Sequence, residues 1–352
     1  MLLMKIVFFA RLFAPHVGGV EKHIIKLSEV LQRKGYSITV ITEGYKRGLP
    51  AHERIHNIDV HRIPVFNISE KNKKWQIWWW LFKNRKFFKD SDILHIHDVF
   101  YWYLPFRFLY PLKKIFITFH GYEGIDPPRF AAILQRKLGE LVSSGTVNVG
   151  DYMKKWYHSN PTLVIYGAAD EVGAKVKQKN RGIYLGRLKG DTGIMMYLHA
   201  MRILKKHEKD FPIDVYGDGP QRKAAEFYVK KHGLDVKFFG FVEGASGKIK
   251  HYKYAFVSRY LATIEAMQSK VFVCAVYDNQ IKKDTLYCFP MVEAMAIAGA
   301  PEELARMLLR ESGDHEEKIA KAFAWAKEQT WEKLVEKHIA MWNRGLQTGY
   351  LH

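Results

Sequence analysis

The residues of this chain best suited to chemistry lie between Ala255 and Gln268, in the stretch AFVSRYLATIEAMQ. An apolar run of strand type turns at Ser258 and continues as a helix. The free N–H groups at the start of such a helix favour an anion. Ser258, Arg259, Tyr260 and Leu261 occupy that start, and Glu265 follows about two turns into the helix. A carboxylate behind an anion site repels phosphate but accepts hydrogen bonds from sugar hydroxyls. Phosphate in front and ribose behind is one reading; a surface helix with a solvated Glu265 is the other. Arg187 follows a strand that ends in Gly186. Its guanidinium can fork two phosphate oxygens, or it can serve a structural salt bridge.

Two other strands end in histidine. Asp92 to His97 (DILHIH) stops before Asp98, and Ile115 to His120 (IFITFH) stops before Gly121. In open parallel sheets ligands bind beyond the carboxyl ends of the strands. Both histidines are therefore candidates, His120 ahead of His97 because a glycine follows it. A histidine that merely caps a loop is the alternative for each. His95 alternates with His97 and is expected on the other side of the sheet.

The elements that must hold these residues read as two α/β series. Lys5 to Ala10 is an apolar strand, followed by Gly18 and Gly19 and then a helix with Val20, Ile24, Leu27 and Leu31 on its apolar face, closed by Gly35. Strand, glycine turn and helix make the first unit of a doubly wound sheet, and such glycines let a ligand approach the backbone. The break at Asn160–Pro161 and the basic connector 175–181 suggest a domain boundary, with a first domain at 1–165 and a second at 166–330. In the second series the strands break at Gly186, at Gly217 within GDGP, and at Gly240 before Phe241 and Val242. If the strands are parallel these breaks share one sheet edge, together with Arg187 and Glu265. The helices from 301 onward end in one that carries Trp331 and Trp342.

Composition sets limits on what such a chain does. At 352 residues the chain suits two domains, and a hydrophobic content of 48% with 26% charged residues is globular. Cys274 and Cys288 form no disulfide framework and no metal-ligand spacing, so a reducing compartment is expected. No apolar run reaches bilayer-spanning length, and the N-terminal MLLMKIVFFA reads as a buried strand and not a signal peptide. The net charge of +19 points to polyanions: phosphate-bearing substrates, anionic lipid or nucleic acid. Residues 71–89, KNKKWQIWWWLFKNRKFFK, set aromatic bulk among lysines and arginines at helical spacing. That pattern fits peripheral contact with an anionic membrane. A core-facing helix with a solvated basic face is the plainer reading, and stacking on nucleic-acid bases is less favoured.

With these residues laid out, the chain resembles the family-four glycosyltransferases. GGVEKH, DILHIHD, TFHG, IYGAAD, GRL, YGDGP, KFFGFV and IEAM occur in that family's order over most of the length. The resemblance implies the GT-B architecture, with two Rossmann-like domains facing a central cleft and a final helix, about residues 331–350, crossing back onto the first. It implies a retaining transfer of a sugar from a nucleotide diphosphate donor, expected to be a UDP-sugar. No metal and no cofactor beyond the donor are implied. The acceptor is expected to be a lipid-linked or glycan molecule, and the protein a cytoplasmic one lying at the inner face of the membrane. By position, Gly18 and Gly19 would approach the donor, His120 the transferred sugar, Arg187 the leaving diphosphate and the backbone near Val242 the base. The amides around Tyr260 and Leu261 would hold phosphate, and Glu265 the ribose. Gly217, Lys189, Ser258 and Arg259 complete the expected donor set.

Two positions depart from the family pattern. A lysine is usual five residues after Arg187, where Thr192 stands, with Lys189 nearby in sequence. A glutamate is usual eight residues before Glu265, where Val257 stands. Arg259, close to the missing acid, suggests an acidic donor sugar or acceptor. A catalytically degenerate nucleotide or polyanion binder of this fold is an alternative, and a GT-B nucleotide-sugar epimerase another.

Overall fold

The computed structural model describes residues 4–122, 124–171, 176–310 and 314–347. The chain divides into two units, Met1–Ile165 with Trp331–His352, and Tyr166–Thr330.

The first unit carries strands β1 (Lys5–Ala10), β2 (Ser37–Glu43), β3 (His52–Ile55), β4 (Ile58–Ile63), β5 (Ile93–His97), β6 (Ile115–Phe119), β7 (Gly145–Val149) and β8 (Leu163–Ile165). They form one sheet in the order β3-β4-β2-β1-β5-β6-β7-β8. All neighbours are parallel except the edge hairpin of β3 with β4. β1, β5 and β6 are rich in Ile and Phe and buried nearly throughout, as strands covered on both faces must be. The unit's helices are α1 (Gly19–Arg33), α2 (Glu70–Lys83), α3 (Lys86–Lys89), α4 (Leu104–Leu109), α5 (Phe130–Val142), α6 (Tyr152–Tyr157) and the helix Trp331–Gln347. Ile24, Leu27 and Leu31 of α1 are fully buried. The chain leaves α1 through Gly35, whose φ of +86° a β-carbon would penalise.

The helix Trp331–Gln347 packs on α1 and reaches β7, burying Trp331, Leu334, Val335 and Trp342. Its surface pairs, Arg33–Glu332 at 2.7 Å and Lys34–Glu336 at 3.7 Å, add little beside that apolar contact. The expected helix of about 331–350 includes 348–350, which lie outside the described residues. On the opposite face of the sheet, Phe100 sits beside Gly139 of α5, and Tyr101 accepts a hydrogen bond from Trp78 of α2.

The second unit carries β9 (Lys179–Leu185), β10 (Ile213–Tyr216), β11 (Val236–Gly240), β12 (Tyr252–Phe256), β13 (Phe272–Val276) and β14 (Met295–Ala298), ordered β11-β10-β9-β12-β13-β14 and parallel throughout. Around it lie α7 (Ile194–Lys206), α8 (Arg222–His232), α9 (Tyr260–Gln268), α10 (Gln280–Tyr287), α11 (Pro301–Leu309) and α12 (Asp314–Ala326). Two apolar clusters, one centred on Ile264 and Val273 and the other on Leu198 and Val215, form its core.

Candidate functional site

In the second unit the carboxyl ends of β9, β10 and β12 are adjacent, and most of the expected donor residues lie there. Glycine shapes this edge for a specific reason. A β-carbon on Gly217 would stand 1.9 Å from the carbonyl oxygen of Gly186, and one on Gly219 would stand 2.5 Å from that of Leu188. Gly186 N–H donates to Tyr216 O at 3.2 Å, and Leu188 N–H to Asp218 O at 2.9 Å. The turns after β9 and β10 thus touch backbone to backbone, with φ of +149° and +157° at the two GDGP glycines. The glycines meet each other's loops first; any ligand comes second.

That contact fixes Arg187. Its carbonyl accepts from Tyr184 Oη at 2.8 Å and from Thr192 Oγ1 at 2.5 Å. Its guanidinium is exposed and has no hydrogen bond or ion pair among the described residues. The backbone that carries this cation is held while its tip stays unspent, so the guanidinium is available to an anion. Thr192 closes the turn, accepting from Lys189 N–H at 3.2 Å. Where the family carries a lysine, this chain carries a loop clamp.

The strand-to-helix stretch differs in part from its expected layout. Ser258 begins no ligand contact with its side chain. Its buried hydroxyl bonds Tyr197 Oη at 2.9 Å and accepts from Val276 N–H at 3.2 Å. Tyr260 turns its ring onto Phe289, stacked at 5.5 Å, and donates its hydroxyl proton to Thr285 O at 2.7 Å. What these residues leave for a ligand is the N-terminus of α9. Leu261 packs towards Gly167, where a β-carbon would fall 2.6 Å from its Cδ2. Val242 packs on the core of this unit, and its carbonyl accepts from Ala245 N–H at 3.3 Å. Glu265 is half-buried on α9. Val257 is a buried core residue whose N–H pairs with Cys274 O at 3.1 Å, and its side chain offers no group that could bond a sugar hydroxyl.

Arg259 is not a free selector for an acidic substrate, because Asp191 Oδ2 holds it at 2.7 Å. Beside this pair lies a cation that sequence reading missed. Lys282 of α10 is 4% exposed, donates to Asp191 O at 2.8 Å and sits 3.8 Å from Asp278. Burial pulls its ammonium below the ordinary lysine range, against the acids Asp278 and Asp191. Nothing local in QIKKD separates Lys282 from Lys283; its burial depends on Asp191, 91 residues earlier.

In the first unit Gly18 opens α1 with extended backbone, a conformation any residue adopts. Its lack of a side chain makes room for Glu21, whose Oε2 would lie 2.3 Å from a β-carbon there. Glu21 is buried and bonds His16 Nδ1 at 2.7 Å. Gly19, next along, is the first residue of α1.

His120 is half-buried, and His97 Nδ1 lies 2.8 Å from its Nε2. His23 of α1 faces both rings at centroid distances of 5.1 and 5.9 Å. His95 does not face the other side of the sheet. It stacks on His97 at 5.0 Å, because residues two apart on a strand share a face. Trp342 N–H donates to His95 Nδ1 at 3.1 Å, which leaves the His95 proton on Nε2, 2.7 Å from Thr118 Oγ1. His338 donates from Nδ1 to Leu334 O at 2.9 Å. Burial pushes His23, His95 and His97 well below the ordinary imidazole range, His120 below it, and His338 down to about 4. All five are neutral near pH 7.

One nitrogen from each of His23, His97 and His120 lies within 4.8 Å of the other two, a spacing from which a metal could be gathered. Two ligand nitrogens on a tetrahedral zinc stand about 3.3 Å apart. The 2.8 Å contact between His97 and His120 is a hydrogen bond that a metal would have to break. The cluster therefore reads as a neutral, hydrogen-bonding wall.

The family described as Glycosyltransferase Family 4 matches residues 17–170, and that described as Glycosyl transferases group 1 matches residues 167–282. The chain belongs to the family-four glycosyltransferases. A 62-residue stretch is 36% identical to a GDP-mannose-dependent alpha-mannosyltransferase of Mycolicibacterium smegmatis, covering 17% of this chain and 16% of that protein. A 56-residue stretch is 38% identical to the phosphatidylinositol N-acetylglucosaminyltransferase GPI3 subunit of Saccharomyces cerevisiae, covering 16% of this chain and 12% of that one. These curated relatives are thus matched over less than a fifth of their own length. Among solved structures, sucrose-phosphate synthase from Thermosynechococcus elongatus aligns with a TM-score of 0.75 at 14% identity, over 98% of this chain and 100% of that one. Anabaena HepE in complex with UDP aligns with a TM-score of 0.67 at 14% identity, over 96% and 98%. The fold of this family-four chain is GT-B.

Proposed function

We propose that this protein is a retaining, metal-independent glycosyltransferase that moves a sugar from a UDP-linked donor to a lipid-linked or glycan acceptor. The reading rests above all on Arg187, whose backbone is held in the turn after β9 and whose guanidinium is unspent among the described residues. The N-terminus of α9 lies on the same sheet edge. Together they offer a diphosphate leaving group positive potential, from a fixed helix end and a guanidinium free to pair with it. Glu265 takes the ribose hydroxyls, and the neutral histidine wall at His120 offers hydrogen bonds to a sugar without trapping a phosphate. UDP is preferred as the base carrier because HepE is described with UDP; the mannosyltransferase relative, named for GDP-mannose, makes GDP the direct competitor.

The acceptor is placed at the cytoplasmic face of an anionic membrane, with 71–89 as the contact. Trp75, Trp79 and Phe82 are exposed along one side of α2, while Ile77 and Leu81 face inward. Lys83 lies over the Trp79 ring at 3.6 Å and Arg85 over Phe82 at 5.0 Å. Among the described residues no helix is long and apolar enough to cross a membrane. Thr192 and Val257, at the two family positions without their usual charged residues, favour a second reading in which the protein binds nucleotide without turnover.

A screen of UDP- and GDP-linked sugars for thermal shift and donor hydrolysis tests the proposal. Stabilisation and slow hydrolysis with a UDP-sugar are expected, both lost in Arg187→Ala and weakened in Glu265→Ala. A UDP-sugar that binds but never turns over, with any acceptor supplied, would leave the binder reading standing. Variants that bind donor like the wild type would move the site elsewhere.

A further inference from the structure

The apolar surface of the first unit is larger than residues 71–89, and its main part lies on a helix that looks unremarkable in sequence. Helix α5 is inside out. Its buried side carries Gly139, where a β-carbon would touch Phe119 at 3.0 Å, and Arg136, whose guanidinium stacks over Tyr157 at 3.9 Å and bonds Gly121 O. Its solvent side carries Phe130 (78% exposed), Leu134, Leu138 and Leu141 (82%). At 3.6 residues per turn these four fall within an arc of about 80°, and Arg136 and Gly139 lie opposite. A helix that buries an arginine and exposes three leucines is built to have that stripe covered.

Helix α4 and the turn after it continue the theme with Phe108 (88% exposed), Leu109 and Leu112 (90%). The segment Phe100–Trp102 joins these parts to α2. It contacts α2 and α4, and its Phe100 lies beside α5. The three helices therefore gather around this segment, with α5 on the face of β6 that carries Ile117 and Phe119.

Charge selects the occupant. Between residues 66 and 142 the sequence holds 13 Lys and Arg against seven Asp and Glu. Lys83, Arg107, Lys114 and Arg129 stand within two residues of Phe82, Phe108, Leu112 and Phe130 in the sequence. A second copy of this chain would bring the same positive charge to the contact and repel; an anionic lipid surface neutralises it while taking up the apolar side chains.

We infer that α4 and α5 form, with α2, a single membrane-docking face for anionic lipid, with the α5 stripe as its principal anchor. This rests on the membrane placement proposed for 71–89 and enlarges it.

The test is co-sedimentation of the full chain with vesicles of phosphatidylglycerol and phosphatidylcholine, and with phosphatidylcholine alone. Wild type is compared with Leu134→Glu/Leu141→Glu and with Trp75→Glu/Trp79→Glu; both pairs are exposed, so folding should survive. UDP-induced thermal shift checks the donor site, and sedimentation velocity checks oligomeric state. Expected are binding that needs the anionic lipid, a loss of more than about tenfold in the α5 variant, and a smaller loss in the α2 variant. Loss in the α2 variant with wild-type binding in the α5 variant overturns the inference and leaves the 71–89 contact in place. A wild type that ignores vesicles and forms a dimer broken by the α5 variant overturns both and makes the stripe a self-association surface. Retained UDP shifts in every variant would keep either failure separate from the donor site.

Discussion

The carboxyl edges of the two sheets solve opposite problems. In the first unit the edge is lined by five imidazoles, four buried and His120 half-buried, that desolvation holds neutral, with His95 and His338 clamped by Trp342, Thr118 and Leu334. In the second the edge is made of backbone turns in contact with one another, and the charge is cationic: Arg187 free, Arg259 tied to Asp191, Lys282 buried against the same residue. A neutral wall suits a group that must not be trapped by charge, such as a sugar. A fixed cationic rim suits one that gains negative charge as it leaves. The contrast teaches that the two edges differ in polarity, each within its own unit, and acid or mutation should strike them differently.

The largest expected effect is acid sensitivity of the first unit. Its histidines titrate below the unfolded value near 6.5, so the unfolded chain binds protons first and stability falls as the pH is lowered. Their contribution is complete above about pH 6.5 and is lost as pH drops, by up to about 1.4 kcal/mol per pH unit for each imidazole. The loss continues downward through the folded values, which for His338 is about 4. The thermal midpoint should therefore fall steeply between pH 7 and 5, and a flat profile would mean the wall is not neutral. Next in size is Gly217→Ala. Its β-carbon collides with Gly186 O and should cost about 2 kcal/mol or more in denaturant unfolding, together with the arrangement around Arg187. A silent Gly217→Ala would deny that the two turns support each other.

Trp342→Phe removes the donor to buried His95 and should cost about 1–2 kcal/mol, read by urea unfolding. The same variant should leave donor binding unchanged, which sharpens the division between units. Smallest is Lys282→Met. With the carbonyl of Asp191 released and Arg259 less firmly placed, kcat should fall about tenfold with KM nearly constant, since the support matters most as charge develops. A change in KM alone would make Lys282 a contributor to ground-state binding.

Much of this was legible in sequence because it depends on short-range rules. Glycines that end strands announced the turns after β9, β10 and β11, and apolar runs announced most strands. What sequence hid depends on distant partners. Gly18 looks like a ligand glycine, yet its space goes to the Glu21 carboxylate. Ser258 looks like an anion-site hydroxyl, but Tyr197 from a helix 61 residues earlier claims it. The exposure of the α5 leucines likewise follows from distant partners, because Arg136 takes the inner face against Tyr157 and Gly121. The expectation for His95 fails for another reason: residues two apart on a strand share a face, so His95 stacks on His97.

The central claim is that Arg187 supplies the charge for a nucleoside diphosphate. Calorimetric titration of UDP into the wild type and into Arg187→Ala, at one ionic strength, tests it most directly. The account predicts saturable binding to the wild type and at least about tenfold weaker binding to the variant, at least about 1.4 kcal/mol lost with the charge-assisted contact. Equal affinity in the two proteins would contradict it.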